Sequence, residues 1–323
     1  MGFVQTLISI DEAGATFRSY VDGSIHHLTP ERSIEIQRQL GADLIVVLDE
    51  CTPFNVDKEY TEASMHRSHR WALRSLEEFK RTASGKQALY GIVQGGVYDD
   101  LRRVSCTFVN DHPFFGLAIG GSLGADRQSM HNIVAFTRAM LRNDRPVHLL
   151  GIGGIRDIFH GVRQGIDTFD CVHPTRLGRH GGALVPASFW SEEPWADGQA
   201  ADDDGSGEKK WKVNQKKTMV KRSVREHTNV DKAHMRHDPR PLVADCECYT
   251  CKNFSRAYLH HLFKARESLG GTLVTTHNIH FMNKLMRNIR QGIATGTLDE
   301  VEKYYVHPEL IDNNSRDSNS DLE

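Results

Sequence analysis

The sequence predicts an α/β fold built on a parallel sheet, and three observations lead to that prediction. Short apolar runs of four to seven residues recur along the first half of the chain. Longer amphipathic segments with helical spacing separate these runs. A polar residue or a glycine directly follows each run. Strands that alternate with helices are typical of parallel α/β sheets, and functional side chains then collect where the strands end.

The runs that we interpret as strands share β-branched or aromatic residues and an abrupt polar end. They cover residues 42–48, 88–93, 115–119, 147–150 and 166–169. The helical patterns between them are clearest over residues 30–40, 61–82 and 127–141.

The composition is that of a globular protein without an extreme charge. Hydrophobic residues make up 39% and charged residues 25% of the 323 residues, and the formal net charge is -2, so a sizeable core is expected. No apolar run approaches the roughly 18 residues of a membrane span. The first ten residues lack the basic leader and cleavage site of a secretory signal. We therefore expect a cytoplasmic protein that does not enter a membrane.

The chain divides into four parts by composition. Residues 1–190 carry the strand and helix pattern, and residues 191–245 are predicted to be a long flexible insertion. The insertion contains an acidic linker at 202–207, and residues 209–240 hold eleven Lys and Arg against three Asp and Glu. Residues 246–293 form a cysteine-bearing subdomain with two helical patterns, at about 254–269 and 277–292. Residues 294–323 end in a polar tail that is predicted to be disordered from 313.

Three closely spaced cysteines predict a metal site. Cys246, Cys248 and Cys251 lie within six residues, too close to bridge one another without strain but able to surround a tetrahedral ion. His277 follows Cys251 with 25 residues between them, and we expect it at the start of a second helix, past a glycine turn at 270–271. A closed Cys₃His shell would make one structural Zn²⁺ per chain. The alternatives for the fourth ligand are the histidines His260, His261 and His280.

The densest chemical signal is the segment Thr-Phe-Asp-Cys-Val-His-Pro-Thr-Arg-Leu-Gly-Arg, which ends at Arg179. Its aspartate, Asp170, follows a strand and is followed in turn by Arg176 and Arg179. A carboxylate there can attack a sugar carbon, and arginines can clamp phosphates or bind bases. The structural alternative is that Asp170 pairs with Arg176 for stability.

Asp49, Gln94 and Gly121 stand at three other strand ends. An ionised aspartate offers two acceptors, a glutamine amide offers a donor and an acceptor, and a glycine lets a backbone N–H approach closely. Guanine presents N–H donors beside one carbonyl acceptor on its Watson–Crick edge. These three residues together therefore predict a guanine-reading pocket.

Five motifs resemble the queuine tRNA-ribosyltransferases, also called tRNA-guanine transglycosylases. The resemblance runs in order from about residue 17 to residue 293. The motifs are Leu-Asp-Glu-Cys-Thr-Pro at 48–53, Gly-Ile-Val-Gln-Gly-Gly at 91–96, Leu-Ala-Ile-Gly-Gly at 117–121, Phe-Asp-Cys-Val at 169–172 with Pro-Thr-Arg at 174–176, and the cysteine trio with His277. The fold that this resemblance implies is a (β/α)₈ TIM barrel with an inserted zinc-binding subdomain near its C-terminal end.

The resemblance also implies a role for individual residues. Asp170 would be the nucleophile at the ribose C1′. The substrate base would contact Asp49, Cys51, Gln94, Gly121, Leu150 and Gly151. tRNA would contact Gly151, Ile152, Gly153, Gly154, Ile155, Arg156 and Asp157, and also Thr175, Arg176, Leu177, Gly178 and Arg179.

The activity implied by the resemblance is exchange of the wobble guanine of tRNAs with G-U-N anticodons for queuine or prequeuine, through a covalent Asp-ribosyl intermediate. The expected partners are tRNAs for Asp, Asn, His and Tyr, a deazaguanine base and a second copy of the chain. Gly124 stands where a valine is common in members that take prequeuine, so the small residue favours queuine. The main alternatives are a non-catalytic tRNA-binding partner subunit or inactive fragment, and a relative acting on DNA or on another tRNA position.

The same resemblance places an Asp-Ser-Gly-Gly-Phe/Tyr-Gln motif, whose aspartate is a general acid and base, upstream of Met1. The five strands would then be the fourth to eighth of the barrel, with the first three before them. We expect that the start of the chain was assigned late.

Overall fold

The computed structural model of the protein describes residues 6–82, 85–192 and 224–312. These residues form two compact units. The first unit holds the described residues up to 152 together with 157–171, and the second holds 153–156 and the described residues from 172 onward.

A three-stranded antiparallel sheet that the sequence did not predict opens the first unit. Its strands are β1 (Leu7–Ile10), β2 (Ala15–Arg18) and β3 (Ile25–Leu28), paired in chain order. Each strand has only four residues, and most of them are exposed or partly buried. Strands this short and this exposed lack the alternation of apolar and polar residues by which a strand is recognised in a sequence.

Helix α1 (Pro30–Leu40) follows β3 and begins and ends as its sequence predicts. The Thr29 side chain accepts a hydrogen bond from the backbone N–H of Arg32, and Pro30 occupies the first turn, where no N–H is needed. Gly41 ends the helix in the left-handed conformation, with φ of 72°.

Five parallel strands form the central sheet of the first unit, and they confirm the five predicted strands. They are β4 (Leu44–Val46), β5 (Ala88–Val93), β6 (Gly116–Ile119), β7 (Val147–Leu149) and β8 (Thr168–Phe169). Each strand pairs in parallel with the next one along the chain. Because crossovers between parallel strands are right-handed, a sheet in strict chain order carries its helices on one face. This is the winding of a (β/α)₈ barrel, and the sheet forms half of one.

The connecting helices are α2 (Lys58–Arg81), α3 (Asp99–Asp111), α4 (Arg127–Met140) and α5 (Ile155–Gln164). Two of the four connecting helices, α2 and α4, begin at acidic caps. Asp57 accepts from the backbone N–H of Tyr60, and Asp126 accepts from that of Ser129.

The core of the first unit lies around β6, whose four residues are all buried. Leu117, Ala118 and Ile119 have no exposed surface, and Val93 on the neighbouring strand has none either. Burial of both faces explains why this strand reads as a continuous apolar run in the sequence.

The described residues of the second unit contain two short strands and six complete helices. Strands β9 (Gly182–Leu184) and β10 (His227–Asn229) pair antiparallel. The helices are α6 (His173–Arg179), α7 (Tyr249–Asn253), α8 (Arg256–Lys264), α9 (Ser268–Thr295), α10 (Leu298–Tyr305) and α11 (Pro308–Asp312).

The glycine turn predicted at 270–271 is wrong. Both glycines lie in the first turn of α9, and the chain reverses just before it, where Arg266 has a φ of 60°. Glycine is needed at position 270 for close packing instead, because a Cβ there would lie 3.1 Å from the Phe263 ring. His277 therefore lies near the middle of one long helix, not at the start of a second.

The flexible insertion predicted over 191–245 does not extend over residues 224–245. These residues contain β10 and a single 3₁₀ turn, Ala233–Met235. The buried Asp238 carboxylate accepts hydrogen bonds from Arg240 and Arg256, which holds this segment to α8. The predicted acidic linker at 202–207, the basic residues from 209 to 223 and the predicted tail from 313 lie outside the described residues.

None of the helices in the described ranges is both long and apolar enough to cross a membrane.

Candidate active site and metal centre

The parallel sheet brings the predicted base-reading residues to one edge. Asp49 follows β4, Gln94 follows β5 and Gly121 follows β6, and these strands are neighbours in register. Carboxyl ends of parallel strands meet at the same edge, which is where α/β folds hold their ligands.

Gln94 and Asp49 contact each other directly. The Gln94 Nε2 donates a hydrogen bond of 2.5 Å to Asp49 Oδ2. Burial raises the pKa of Asp49 to about 6, although the bond from Gln94 opposes that shift. Gln94 itself is buried, and its backbone N–H donates to Ser105 Oγ, 2.9 Å away on α3. The glutamine is therefore held by its backbone, with its amide beside a carboxylate that titrates close to neutral pH.

Two glycines give the Gln94 amide its space. A Cβ at Gly121 would lie 2.6 Å from Gln94 Oε1, and one at Gly120 would lie 3.3 Å from Gln94 Nε2 and from Leu150 Cδ1. Gly121 also has a φ of +74°, which L-residues rarely adopt. The structure thus places Leu150 beside Gln94, as expected for a residue lining the base site.

Arg102 is a buried residue of this site that sequence reasoning missed. Its Nε donates to the Gly96 carbonyl at 2.8 Å and its Nη2 donates to the Ser122 carbonyl at 3.1 Å. These carbonyls belong to the loops that carry Gln94 and Gly121, so the guanidinium ties the two loops together. Burial lowers the pKa of Arg102 to about 10, and the group stays charged at neutral pH. The available signal was an arginine on the apolar face of α3, beside Leu101.

Cys51 lies near the same loops. The residue is exposed, but desolvation of its thiol, and next the charge of Asp49, raise the pKa of Cys51. Cys51 is therefore a neutral thiol at neutral pH rather than a nucleophile.

Asp170 lies at the end of β8 and is 59% exposed, so its carboxylate is open to a substrate. Its Oδ1 accepts a hydrogen bond from the backbone N–H of Gly151 at 3.1 Å and lies 3.1 Å from His148 Nε2. The Cys171 thiol donates to the Gly151 carbonyl at 3.3 Å, which fixes that peptide from its other side. Sequence reasoning missed His148, although a polar residue inside the apolar run 147–150 was a signal.

Three of the residues expected to contact tRNA have buried side chains, namely Ile155, Arg156 and Asp157. Asp157 pairs with Arg127 at 3.0 Å and with His131 at 2.9 Å, and both partners are buried as well. Arg156 is buried as well and donates to Glu226, whose carboxylate also accepts from the backbone N–H groups of Ile155 and Arg156. Side-chain contacts from these three residues to tRNA are therefore not available in this conformation, whereas Gly151 is exposed.

Helix α6 separates its residues into two faces. Arg176 and Arg179 are exposed and three positions apart, so they project from the same side. Leu177 and Gly178 face inward: a Cβ at Gly178 would lie 2.6 Å from Thr275 Oγ1 on α9, and Leu177 packs on Gly182. The helix therefore presents its two arginines to solvent while α9 supports its other face.

The metal site predicted from the cysteine spacing is confirmed as a cluster that can hold an ion. The ligand atoms of Cys246, Cys248, Cys251 and His277 all lie within 4.8 Å of one another. The three sulfurs lie 3.6, 3.5 and 3.4 Å from His277 Nδ1. A tetrahedron with zinc–sulfur bonds of about 2.3 Å and a zinc–nitrogen bond of about 2.0 Å has sulfur–nitrogen edges of about 3.5 Å. The donor set and its spacing thus fit Zn²⁺.

Local structure explains this arrangement. Cys248 caps α7, with its sulfur 3.3 Å from the backbone nitrogen of Cys251, and that turn brings the two sulfurs together. Hydrogen bonds from the neighbouring thiols lower the pKa of Cys248 well below the usual range. Of the alternative ligands, His260 contacts the Val230 carbonyl instead, and neither His261 nor His280 belongs to the cluster among the described residues.

Residues next to the cluster link it to α6 and β9. The His277 Nε2–H donates to the Leu184 carbonyl at 2.8 Å, which leaves Nδ1 free to bind a metal. Asn278 is fully buried; its Nδ2 donates to the Pro174 and Gly182 carbonyls, and its Oδ1 accepts from the Leu184 N–H, each at 2.9 Å. No sequence pattern indicated this role for Asn278.

The position of Gly124 removes the geometric reason for expecting queuine. Gly124 has a φ of +110°, and a Cβ there would lie 2.7 Å from the Cβ of Ser129 at the start of α4. The glycine is required by the turn and by this close approach, so a valine would press on the helix rather than fill the base site. The preference for queuine over prequeuine remains a prediction.

Comparison with known proteins gives a consistent result. A model of the family described as queuine tRNA-ribosyltransferase matches residues 2–308. A queuine tRNA-ribosyltransferase from Roseiflexus sp. (strain RS-1) is 44% identical over 299 residues, covering 90% of this chain and 66% of the relative. One from Caldanaerobacter subterraneus subsp. tengcongensis is 40% identical, covering 95% of this chain and 72% of the relative. A putative one from Archaeoglobus fulgidus is 39% identical, covering 93% and 66%. The chain thus spans about two thirds of the length of the curated relatives that it matches.

Proposed function

The chain belongs to the queuine tRNA-ribosyltransferase family, and from that premise we propose that it is the base-exchange part of a tRNA-guanine transglycosylase. The observation that carries the proposal is the Asp170 carboxylate. It is exposed, its Oδ1 is held by Gly151 and His148, and it stands on the same parallel sheet as a pocket that contains Asp49, Gln94 and Gly121.

The chemistry that these groups support is a double displacement at the ribose C1′ of a guanosine. The free oxygen of Asp170 forms a bond to C1′, the C1′–N9 bond breaks, and its electron pair goes to guanine, which a general acid protonates. The incoming deazaguanine then gives its ring N–H proton to the conjugate base of that acid, forms the new bond to C1′ and displaces Asp170. Two inversions give net retention, as in retaining glycosidases.

The pocket recognises guanine by complementarity of donors and acceptors. An ionised Asp49 accepts from the N–H groups of the base, while the Gln94 amide and the Gly121 backbone N–H are the groups for its carbonyl. To take up a base, the pocket must exchange the bond between Gln94 and Asp49 for bonds to the ligand. Desolvation strengthens each of the new bonds, because buried polar groups have no competing water.

tRNA with a G-U-N anticodon is the proposed substrate, with its wobble nucleotide flipped into the pocket. Arg176 and Arg179 project from one face of α6 and suit contacts to phosphates or to bases beside the flipped nucleotide. Such tRNAs are those for Asp, Asn, His and Tyr, and the cytoplasm is the proposed location of their modification by this protein. A second copy of the chain is the proposed protein partner.

Zinc is the proposed occupant of the Cys₃His cluster. The four ligands close its coordination shell, so the ion would stabilise the second unit and leave no open position for a substrate. The residues around it, His277 and Asn278, would hold α9 against β9 and α6.

The experiment that tests this function is trapping of the covalent intermediate. Full-length protein incubated with a G-U-N tRNA should give an adduct that survives denaturation, and addition of free base should release it. Asp170→Asn should abolish the adduct, with a rate loss of several orders of magnitude, because covalent catalysis requires its nucleophile. Asp144→Asn, which alters an exposed surface pair with Arg142, is the control and should form adduct normally. A protein that binds tRNA without forming an adduct would instead be a non-catalytic partner subunit.

A further inference from the structure

His148 connects the proposed nucleophile to a neighbouring strand. Its Nε2 lies 3.1 Å from Asp170 Oδ1, and its Nδ1 lies 2.8 Å from Thr168 Oγ1. Both ring nitrogens of one imidazole are therefore engaged along β8, one by a hydroxyl and one by the carboxylate. Nothing in the family motifs described above includes this histidine.

The register of the sheet creates this contact. His148 on β7 is the direct partner of Thr168 on β8, and partners on parallel strands project from the same face. Asp170 lies two residues after Thr168, so it returns to that face at the strand end. Val147 and Leu149 on either side of His148 are buried in the core, whereas the His148 side chain is 19% exposed and opens toward the carboxylate.

The two partners determine where the ring proton lies. An ionised carboxylate can only accept hydrogen bonds, so Nε2 must carry a proton to make a favourable contact with Asp170. In a neutral ring Nδ1 is then an acceptor, and it accepts a hydrogen bond from the Thr168 hydroxyl. The Asp170 carboxylate thus selects the tautomer with hydrogen on Nε2, and the Thr168 hydroxyl supports that tautomer by donating to Nδ1.

We propose that His148 is a positioning residue for Asp170, in the Nε2–H tautomer that the carboxylate requires and that the Thr168 hydroxyl supports. Together with the Gly151 N–H it engages Oδ1, which fixes the rotamer of the carboxylate and directs Oδ2 outward for attack on C1′. Among the described residues, Oδ2 has no hydrogen-bond partner. His148 itself forms no covalent bond and transfers no proton. Orienting a nucleophile in this way is a large part of enzymatic rate enhancement, since misplaced groups react slowly. The inference deepens the proposed function and rests on it for its catalytic consequence.

The tautomer can be tested without any activity. Histidine side-chain nitrogen NMR on the chain at alkaline pH, with His148 assigned through His148→Gln, should show the proton on Nε2. Thr168→Val should weaken that preference, because Nδ1 loses its donor, and Thr168→Ser, which keeps the hydroxyl, should retain it. Asp170→Asn should lower the Nε2–H fraction because the anion is gone. A ring protonated on Nδ1 in the wild type, or signals that do not respond to Thr168→Val and Asp170→Asn, would overturn the proposal.

The positioning role has a kinetic test in the full-length protein. His148→Phe should slow adduct formation by roughly 10- to 100-fold, the value of one hydrogen bond to a charged group, while the dissociation constant for tRNA changes less than about twofold. His148→Gln places an amide N–H near the former Nε2 and should restore most of the rate. Thermal unfolding identifies variants that fail to fold. If His148→Phe or His148→Gln fails to fold, the comparison of Thr168→Val with Thr168→Ser takes the place of the comparison of these two variants. Equal rates in His148→Phe, His148→Gln and wild type would overturn the role.

Failure of the two proposals can be told apart. If the wild type forms no adduct although it binds tRNA, the proposed function fails, and the NMR result still decides the arrangement of His148, Thr168 and Asp170. If the wild type forms an adduct that needs Asp170 but not His148, only the present inference fails.

Discussion

Gln94 and Asp49, which lie 45 positions apart in the sequence, share a hydrogen bond of 2.5 Å at the edge of the parallel sheet. Both side chains are expected to bind the same base, so without a base they satisfy each other. The bond is possible because β4 and β5 are adjacent and parallel, and the chain that follows β4 continues alongside β5, where the Val47 N–H donates to the Tyr90 carbonyl. Asp49 is the member of this pair whose charge changes near neutral pH, since burial raises its pKa to about 6.

Base binding should therefore depend on pH through Asp49. Burial raises the pKa of Asp49 to about 6, so the carboxylate is ionised at pH 7.5 and largely protonated at pH 5. A protonated carboxyl loses acceptor capacity toward the guanine N–H groups, and guanine affinity should fall about tenfold per pH unit below about 6. Calorimetric titration of full-length protein with guanine at several pH values measures this. In Asp49→Asn the affinity should be weak and independent of pH over this range; an unchanged pH dependence would assign the titration to another group.

The raised pKa of Asp49 also makes the free energy of unfolding depend on pH, in a direction that can be predicted. A carboxyl whose pKa is raised by folding stabilises the fold at low pH; that contribution is fully present below the ordinary value of aspartate, 3.8, and is lost as the pH rises through about 6. Asp49→Asn removes the buried charge, so its thermal stability relative to wild type should be higher at pH 7.5 than at pH 4. Thermal unfolding at the two pH values gives the comparison.

Gly121→Ala should damage the pocket more than it damages the fold. A Cβ at 121 would lie 2.6 Å from Gln94 Oε1, so the amide must move. Gly41→Ala is a matched control, because Gly41 has nearly the same φ, +72°, with nothing within 4 Å of the added Cβ. Both variants incur the left-handed backbone penalty of about 1–2 kcal/mol, but only Gly121→Ala should also weaken guanine binding. Equal guanine affinity in the two variants would show that Gln94 adapts freely.

Removal of the metal should unfold the second unit. Zinc contributes about 10–16 kcal/mol in small peptide sites, which is comparable to the whole stability of a typical domain, about 5–15 kcal/mol. Cys248→Ser should purify with less than one zinc per chain and melt at lower temperature, and a strong chelator should do the same to wild type. Cys51→Ser, which alters a cysteine outside the cluster, should retain its metal. Metal analysis and thermal unfolding measure both effects. If Cys248→Ser kept its zinc and its stability, the assignment of the Cys₃His cluster as a structural zinc site would be contradicted.

Asn278→Ala should weaken the support of α6. The change leaves the Leu184 N–H and the Pro174 and Gly182 carbonyls without their partner inside the unit. Buried groups left unpaired cost about 1–3 kcal/mol each, so a loss of about 3 kcal/mol is expected in chemical denaturation. Asn283→Ala on the same helix is the control, since Asn283 is exposed and bonds only to its own helix at Ile279.

A second readout of Asn278→Ala is tRNA affinity. Because α6 carries Arg176 and Arg179, tRNA binding should fall with Asn278→Ala and stay unchanged with Asn283→Ala. Unaltered tRNA affinity in a destabilised Asn278→Ala protein would mean that these arginines do not depend on α9.

The sequence by itself determined the features that local pattern and chemistry encode. The five parallel strands were recognisable because each is a short β-branched or aromatic run with an abrupt polar end, and in β5 and β6 burial of both faces makes the run almost continuously apolar. The cysteine trio was recognisable because thiolates at that spacing have few other uses, and Asp170 because it stands at a strand end before two arginines.

Only the tertiary structure decided which distant side chains meet. Four histidines were candidates for the last metal ligand, and sequence spacing could not choose among them. The packing of α9 selected His277. The turn that makes this packing possible lies before α9 and not at 270–271, where it was predicted. The contacts of Arg102 with Ser122, His148 with Asp170 and Asn278 with Pro174 join residues 20 to 104 positions apart. The positions of Arg102 and His148 among apolar residues were signals that these residues matter, but their partners had no local signal, because strand register and helix packing determine which residues meet.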